Sequence, residues 1–360
     1  MNLARSLVIF AVIAAVLPAC KTTPGPQVGF LLSTLQEERY QKDVKYFEQR
    51  ANELGMTVAT LAADNDNTKQ LAQVEDLLAQ GVKVLVVQPT DSTAAARYVE
   101  LAHEHGAKVV AYDRAIISPD LDYYVSHDSY RVGVLQAQAA LAATGGKGKY
   151  VLLAGQSGHS VATEITRGYE DTLAPYVARG DVHIVLKQNH SAWSPEQALK
   201  SVEDALTLSG GKLDAILANN SGMARGAVQA IAAAGLTNVF IAGADADAAN
   251  VNFVCEGKQT IEILKDIQPL ARTAADVAHE LIEDGGLPSA GGVAEGRRGP
   301  IDGRAPKPGE TIAIGGKNVP IAAVRVEVVT PANVKLLIVD SGFLSADELP
   351  ACKDHFAVAR

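Results

Sequence analysis

The chain has 360 residues, of which 48% are hydrophobic, 20% are charged and only 5% are aromatic. This length and composition describe a globular protein with two domains of ordinary size. The formal net charge of −9 excludes nucleic-acid binding as the main task, since that task requires a basic face.

The first residues have the pattern of an export signal. After Arg5, an apolar stretch over about 7–17 is too short for a standard transmembrane helix and is typical of a secretory signal. The ending LPAC resembles a bacterial lipobox, which predicts a signal peptide over 1–19 and lipidation of Cys20. An ordinary cleaved signal with a chance cysteine is the alternative. Residues 20–27 are predicted to be a tether that holds the protein in the periplasm or at the outer face of a membrane.

The first half of the remaining chain alternates short apolar strands with amphipathic helices. Helices are predicted over 39–55 and 66–81, each closed by a glycine. The predicted strands are 27–32, 56–62, 82–89 and 107–112. Continuous apolar strands that alternate with helices predict a parallel sheet covered on both faces.

The same alternation returns after residue 130 and predicts a second α/β domain. The predicted strands are 149–155, 182–188, 213–219 and 238–243, with helices near 163–178, 195–208 and 222–234. Two such sheets in one chain are expected to face each other across a cleft.

The last part of the chain breaks this rhythm and then resumes it. Residues 284–311 are rich in Gly and Pro, which predicts a long surface loop. Residues 324–334 resume a strand pattern, and Pro331 is predicted to open a last short helix. A late return of the chain to both domains predicts a hinge of several crossings.

Two cysteines remain after the export signal, Cys255 and Cys352. A leftover pair in an exported protein can form a disulfide, but no spacing signature decides whether these two do.

Polar and aromatic side chains follow the predicted strands where those strands end. Ligands of open α/β sheets bind at the carboxyl ends of the strands. The candidate binding residues there are Arg39, Tyr40, Asp113, Arg114, Trp193, Asn220, Asp245 and Lys265. Asp, Asn and Arg each offer two atoms that match vicinal hydroxyls, and an aromatic ring stacks on the C–H face of a pyranose. The set therefore favours a sugar as the ligand.

Each candidate also has a structural interpretation that the sequence leaves open. Asp113 and Arg114 are also consistent with a salt bridge at the domain interface, and Trp193 with a plain core position. Asp245 and Asn220 are also consistent with helix caps. Lys265 is also consistent with a solvated hinge residue.

Other chemistry finds little support in the sequence. No G-x-G-x-x-G follows the first strand, which argues against a dinucleotide cofactor. His103 and His105 do not share a helix face, so no metal site is assigned. No acid–base pair with a nucleophile is apparent, so we expect no enzyme and no cofactor.

Several motifs in order carry a resemblance to a known family. They are VVAYDR, WSPEQALKSVEDAL, LANNSGMARGAVQAI, GADAD and KQTIEILKDIQPLA. From about Val28 to its end, the chain resembles the periplasmic D-xylose-binding proteins of bacterial ABC sugar importers. The resemblance implies a type I periplasmic binding protein fold, with two Rossmann-like lobes joined by a hinge of three crossings. We expect an N-terminal lobe of 28–125 plus 266–326 and a C-terminal lobe of 126–265 plus 327–360.

The resemblance also implies roles for the candidate residues. It implies that Trp193 stacks on the sugar and that Tyr40, where the family has Trp, retains stacking with less area. The residues implied to hydrogen-bond the sugar are Arg39, Asp113, Arg114, Asn220, Asp245 and Lys265. The implied ligand is a monosaccharide, most of all D-xylose, and the implied partners of this monomer are an ABC permease and its ATPase. A sensor that presents the sugar to a chemoreceptor or sensor kinase is the alternative.

The chain departs from the family pattern at two places. Ser221 stands where the family has Asp. The run Ser160-Val161-Ala162 stands where the family has an Asp-Asn-Asn run that contacts the ligand, and His159 or Thr163 is expected to substitute. These departures concern which sugar is bound rather than the class of ligand.

Overall fold

The computed structural model describes residues 25–283 and 311–356. The predicted signal peptide over 1–19, Cys20, most of the tether and almost all of the predicted loop over 284–311 lie outside these residues. Within the described ranges, no helix has the length and hydrophobicity needed to span a bilayer.

The strands and helices alternate along most of the chain. The strands are β1 (Val28–Leu32), β2 (Val58–Ala62), β3 (Val84–Val87), β4 (Lys108–Tyr112), β5 (Tyr123–His127), β6 (Gly148–Ala154), β7 (Val182–Asn189), β8 (Ala215–Ala218), β9 (Phe240–Ala244), β10 (Ile261–Lys265), β11 (Thr311–Ile314), β12 (Lys317–Val324) and β13 (Val326–Val329). The helices are α1 (Glu38–Glu53), α2 (Asn67–Ala79), α3 (Ala96–Glu104), α4 (Ser129–Thr144), α5 (Ser160–Ala178), α6 (Pro195–Leu208), α7 (Ser221–Ala233), α8 (Ala248–Cys255) and α9 (Ile267–Glu283).

The strands form two separate sheets. The first has the order β11-β12-β5-β4-β3-β1-β2 and the second the order β13-β10-β9-β8-β6-β7. Within each sheet the pairs are parallel, except β11 with β12 and β10 with β13, which are antiparallel. The two-lobed α/β architecture expected from the sequence is confirmed.

The chain passes from one sheet to the other three times among the described strands. The changes fall between β5 and β6, between β10 and β11, and between β12 and β13, where Arg325 alone separates the two strands. The predicted residue bounds of the lobes stay a prediction.

Both faces of each sheet are covered, which explains the continuous apolar strands. In β1, Phe30 packs with Phe47 of α1 and Leu270 of α9 on one face. Its neighbour Leu31 packs with Leu77 of α2 and Val99 of α3 on the other. Since successive side chains point to opposite faces, a strand buried on both sides needs apolar residues at every position.

Some elements were not expected from the sequence. The prediction placed no strand at Tyr123–His127, yet β5 lies inside the first sheet between β4 and β12. It also gave no strand for β10 or β12, nor for β11, which forms the sheet edge. At Pro331 a turn leads into a short helical segment over Lys335–Val339, close to the predicted last helix.

A disulfide joins Cys255 to Cys352, which decides the question that the sequence left open. It ties the end of α8 to the C-terminal segment, whose Val334, Ile338 and Leu349 are buried in one small apolar cluster. The bond closes a loop with a sequence separation of 97 residues. Cross-linking so long a loop restricts the unfolded chain strongly.

We expect Cys255→Ser to lower the free energy of unfolding by about 2–4 kcal/mol, because the unfolded chain regains the freedom that the bond removed. Urea unfolding of residues 21–360, followed by circular dichroism, measures the loss. Cys352→Ser should cost the same amount, and the double variant no more than either. A single variant as stable as the wild type would show that the bond does not form in solution.

Candidate functional site

All eight candidate residues line one cavity between the two sheets. The first lobe contributes Arg39, Tyr40, Asp113 and Arg114, and the second contributes Trp193, Asn220, Asp245 and Lys265. Glu37, Val161 and Asn219 complete the lining. The sheets produce this convergence because the carboxyl ends of parallel strands lie at one edge of each sheet, and these two edges face each other.

Asp113 and Arg114 follow β4 and form hydrogen bonds with different partners. Arg114 donates from Nη1 to Ser33 Oγ at 2.8 Å and from Nη2 to the Tyr40 hydroxyl at 3.0 Å. Asp113 accepts from Arg39 Nη2 at 3.3 Å and from Gln88 Nε2 at 3.3 Å. The two charges are therefore not paired with each other.

Ion pairs cross from one lobe to the other inside the cavity. Arg39 lies 3.3 Å from Asp245, and Lys265 lies 3.2 Å from Asp245 and 3.7 Å from Asp113. Asp113 is thus also part of an interface ion pair, as the alternative interpretation held. The lining has three carboxyls, Glu37, Asp113 and Asp245. Asp43 lies outside the lining and accepts from Arg39 Nε at 3.4 Å.

The formal charges of the lining residues sum to zero, since Arg39, Arg114 and Lys265 balance the three carboxyls. Burial alone would raise the pKa of Asp113. The positive charges of Arg39 and Lys265 have the larger effect and hold this pKa well below its usual range. Asp113 is therefore an acceptor-only group at neutral pH.

Three of the lining residues have left-handed backbone conformations. The φ angles are +59° at Asp113, +56° at Trp193 and +100° at Asp245. Non-glycine residues rarely adopt this region, and such residues concentrate at functional sites. The backbone is held so that these side chains reach the cavity.

Trp193 is both a core residue and a cavity wall. It is buried in the apolar core of the second lobe, yet one side lines the cavity. Its ring lies on Gly155, where an added Cβ would lie 2.4 Å from the indole Cζ3. Only glycine at 155 leaves room for the indole in this position.

The other alternative interpretations have mixed outcomes. Asn220 does cap α7, since its Oδ1 accepts from Met223 N at 2.8 Å, which leaves the amide nitrogen as its donor. Asp245 is no helix cap, because Asp247 occupies the position before α8. Lys265 is buried and ion-paired rather than solvated.

The expected substitutes for the Asp-Asn-Asn run do not line the cavity. Val161 is the residue of that stretch that does. Thr163 turns its hydroxyl to the His159 carbonyl at 3.3 Å, and His159 lies behind Trp193.

Sequence reasoning missed a buried carboxyl, Glu262, that supports two of the cavity loops. Its side chain accepts from Gln259 Nε2 at 2.6 Å and from Ala246 N at 3.1 Å, and it lies 3.0 Å from Ser221 Oγ. Ser221 and Ala246 directly follow the lining residues Asn220 and Asp245. The available signal was a lone carboxyl inside the apolar run IEIL.

The contacts of Ser221 with Glu262 and with the Ala244 carbonyl indicate that the Glu262 carboxyl is protonated. Ser221 Oγ lies 2.9 Å from the Ala244 carbonyl and 3.0 Å from Glu262 Oε2, but a hydroxyl has one proton. Both contacts are hydrogen bonds if Ser221 donates to Ala244 and Glu262 donates to Ser221. Burial also raises the pKa of Glu262 to about 8.

Glu262 should therefore make the protein less stable as the pH rises. The native state binds the proton up to about pH 8, whereas the unfolded carboxyl loses it near the ordinary glutamate pKa of 4.5. Between these values the native state holds more protons, so the free energy of unfolding falls by roughly 3 kcal/mol from pH 5 to pH 8. Urea unfolding at both pH values measures this fall.

We expect Glu262→Gln to remove most of that fall, because the amide does not titrate. Glu256→Gln, at an exposed position, is the control and should leave the fall unchanged. An unchanged pH dependence in Glu262→Gln would show that this carboxyl is already ionised in the native protein.

Comparison with known proteins agrees with this arrangement. The chain is 36% identical over 324 residues to the D-xylose-binding periplasmic protein of Escherichia coli K12, covering 90% of this chain and 92% of that protein. It is 36% identical to the protein of the same name from Haemophilus influenzae, covering 71% and 77%.

Solved structures share the fold. A carbohydrate transporter solute-binding protein from Chloroflexus aurantiacus, in complex with D-glucose, superposes with a TM-score of 0.78 at 30% identity, covering 91% of this chain and 100% of that one. The periplasmic binding protein domain matches residues 28–286. On fold, cavity and sequence together, the chain belongs to the periplasmic binding protein family.

Proposed function

We propose that this protein captures a monosaccharide, D-xylose first among the candidates, and delivers it unchanged to an ABC permease and its ATPase. One observation carries the proposal: side chains from both lobes line a single cavity, and the formal charges of its lining sum to zero. A neutral site suits a neutral polyhydroxylated ligand better than an anion or a cation. The D-xylose-binding relatives from two bacteria support the choice of sugar.

The donors and acceptors of the cavity match those of a sugar. The carboxylates of Asp113 and Asp245 accept from hydroxyls, while Arg39, Arg114 and Lys265 donate to them. The ion-pair distances of 3.2–3.7 Å between these groups are longer than the roughly 2.7–2.9 Å of strong charge-assisted bonds. Each carboxylate therefore retains capacity to accept from a ligand hydroxyl.

The remaining walls suit the other face of the ring. The flat indole of Trp193 offers apolar surface to the C–H groups of a pyranose. The phenol of Tyr40 is oriented by Arg114, which donates to its hydroxyl at 3.0 Å. The space left between these side chains is about 20 Å³, little more than one water molecule occupies, so a sugar enters only when the lobes move apart.

Binding is coupled to closure of the lobes. A sugar that contacts Asp113 on one lobe and Asp245 on the other favours the closed arrangement, so its binding shifts the population toward that state. The permease then recognises the closed, loaded monomer.

The predicted export signal supports a function outside the cytoplasm, and we propose lipid on Cys20 as the anchor. We expect Cys20→Ala to release the protein from the membrane fraction into the soluble periplasmic fraction. Fractionation and immunoblotting of expressing cells measure this change. Equal membrane association of both proteins would show that Cys20 carries no anchor.

Thermal unfolding of residues 21–360 with a sugar panel tests the function. The panel contains D-xylose, arabinose, ribose, glucose and galactose. A sugar at about 100 times its dissociation constant should add roughly 2.7 kcal/mol to the free energy of unfolding, which raises the melting temperature clearly. A shift with another sugar but not xylose would keep the class and change the ligand. No shift with any sugar would contradict the proposal.

Variants test whether the cavity is the binding site. Asp113→Asn and Asp245→Asn should each weaken xylose binding about tenfold to a hundredfold, because each loses charge-assisted hydrogen bonds. Titration calorimetry measures the dissociation constants, with the exposed Asp204→Asn as the matched control. Wild-type affinity in either cavity variant would place the sugar elsewhere.

A further inference from the structure

His159 occupies the gap between the two lobes, directly behind the cavity. It precedes α5 of the second lobe and is buried, with only 1% of its surface exposed. Its Nδ1 lies 2.9 Å from Trp193 Nε1, and its Nε2 lies 2.9 Å from the carbonyl oxygen of Thr90. Thr90 follows β3 of the first lobe, so the imidazole contacts both lobes.

The partners determine which imidazole nitrogen carries the proton. The indole N–H of Trp193 only donates, so Nδ1 of His159 must be its acceptor. The single ring proton then lies on Nε2 and is donated to Thr90. Arg114 Nη1 lies 3.3 Å from the same Nε2 and, with that proton in place, is a neighbouring charge rather than a donor to the ring. Burial and the neighbouring Arg114 lower the pKa of His159 to about 3, so the ring is neutral at any ordinary pH.

Trp193 has few other positions open to it. Gly155 lies beneath the ring, and the backbone at Trp193 and at the preceding Ala192 has positive φ angles of 56° and 51°. The bond to His159 fixes the remaining freedom, the orientation of the ring about its own axis. The indole N–H is thereby used inside the protein and is not available to a sugar hydroxyl.

We propose that His159 is a positioning residue that links lobe closure to the orientation of Trp193. Its bond to Trp193 lies within the second lobe, whereas its bond to Thr90 exists only when the lobes are together. Closure therefore completes a chain from Thr90 through His159 to the indole, which presents the stacking face to the ligand in one fixed orientation. The part of this inference that concerns sugar affinity rests on the proposed function.

Two conservative variants separate the two bonds. His159→Asn keeps an acceptor near the position of Nδ1 but is too short to reach Thr90. His159→Gln reaches toward Thr90 but offers no acceptor at the position of Nδ1. His159→Ala loses both bonds, and His183→Asn, on an exposed strand position, is the matched control.

The first measurement uses no sugar, because Trp193 is the only tryptophan in the chain. We expect its emission spectrum and its quenching by acrylamide to change in His159→Ala and His159→Gln and to stay near wild type in His159→Asn. Unchanged emission in all three would overturn the positioning role. Thermal unfolding of each variant without sugar shows which of them is folded, and a folded His159→Asn or His159→Gln suffices for this comparison.

The second measurement is the dissociation constant of D-xylose. We expect about a tenfold increase in His159→Asn, since the bond between the lobes is lost while the indole stays oriented. Wild-type affinity in His159→Asn would overturn the link to closure. If the wild-type protein binds no sugar of the panel, the proposed function fails, and the sugar-free emission still decides whether His159 positions Trp193.

Discussion

The structure depends on keeping buried charge neutral at the place where two lobes meet. Arg39, Asp113 and Lys265 are almost fully removed from water, and Asp245 is partly buried beside them. An isolated ion there would be costly. Arg39 has carboxylate partners within the first lobe, and Lys265 has one within the second. Two further pairs, Arg39 with Asp245 and Lys265 with Asp113, form only when the lobes are together. When the lobes separate, the charged groups regain hydration, and when the lobes join, they gain ion pairs. The free-energy difference between the two arrangements is therefore the small balance of these two large contributions. A ligand with modest affinity is sufficient to change such a balance.

Small and buried groups beneath the cavity hold the charged residues in place. Glu262 supports the loops after β8 and β9, and Gly243 leaves room for it, since an added Cβ there would lie 2.1 Å from Glu262 Oε1. Gly155 does the same for Trp193. The lining residues therefore depend on neighbours that no ligand touches, which is a common requirement for a precise site.

The sequence predicted most of the strands and eight of the eleven lining residues, because both follow from local patterns. Apolar runs mark buried strands, and polar residues at their ends mark the edge where ligands bind. β5 escaped prediction because Ser126 and His127 interrupt its apolar pattern. Their partners, the carbonyls of Asp113 and Asp266, come from other parts of the chain. Glu262 escaped for the same reason: a buried polar group is explained by distant contacts, which periodicity does not show.

The order of strands has a consequence for synthesis of the chain. β12 pairs with β5 and β13 pairs with β10, yet both strands lie near the C-terminus, on either side of Arg325. Neither sheet is complete until the ribosome has passed residue 329. The nascent chain therefore remains without either finished lobe for most of its translation, and the two lobes reach their final form almost together.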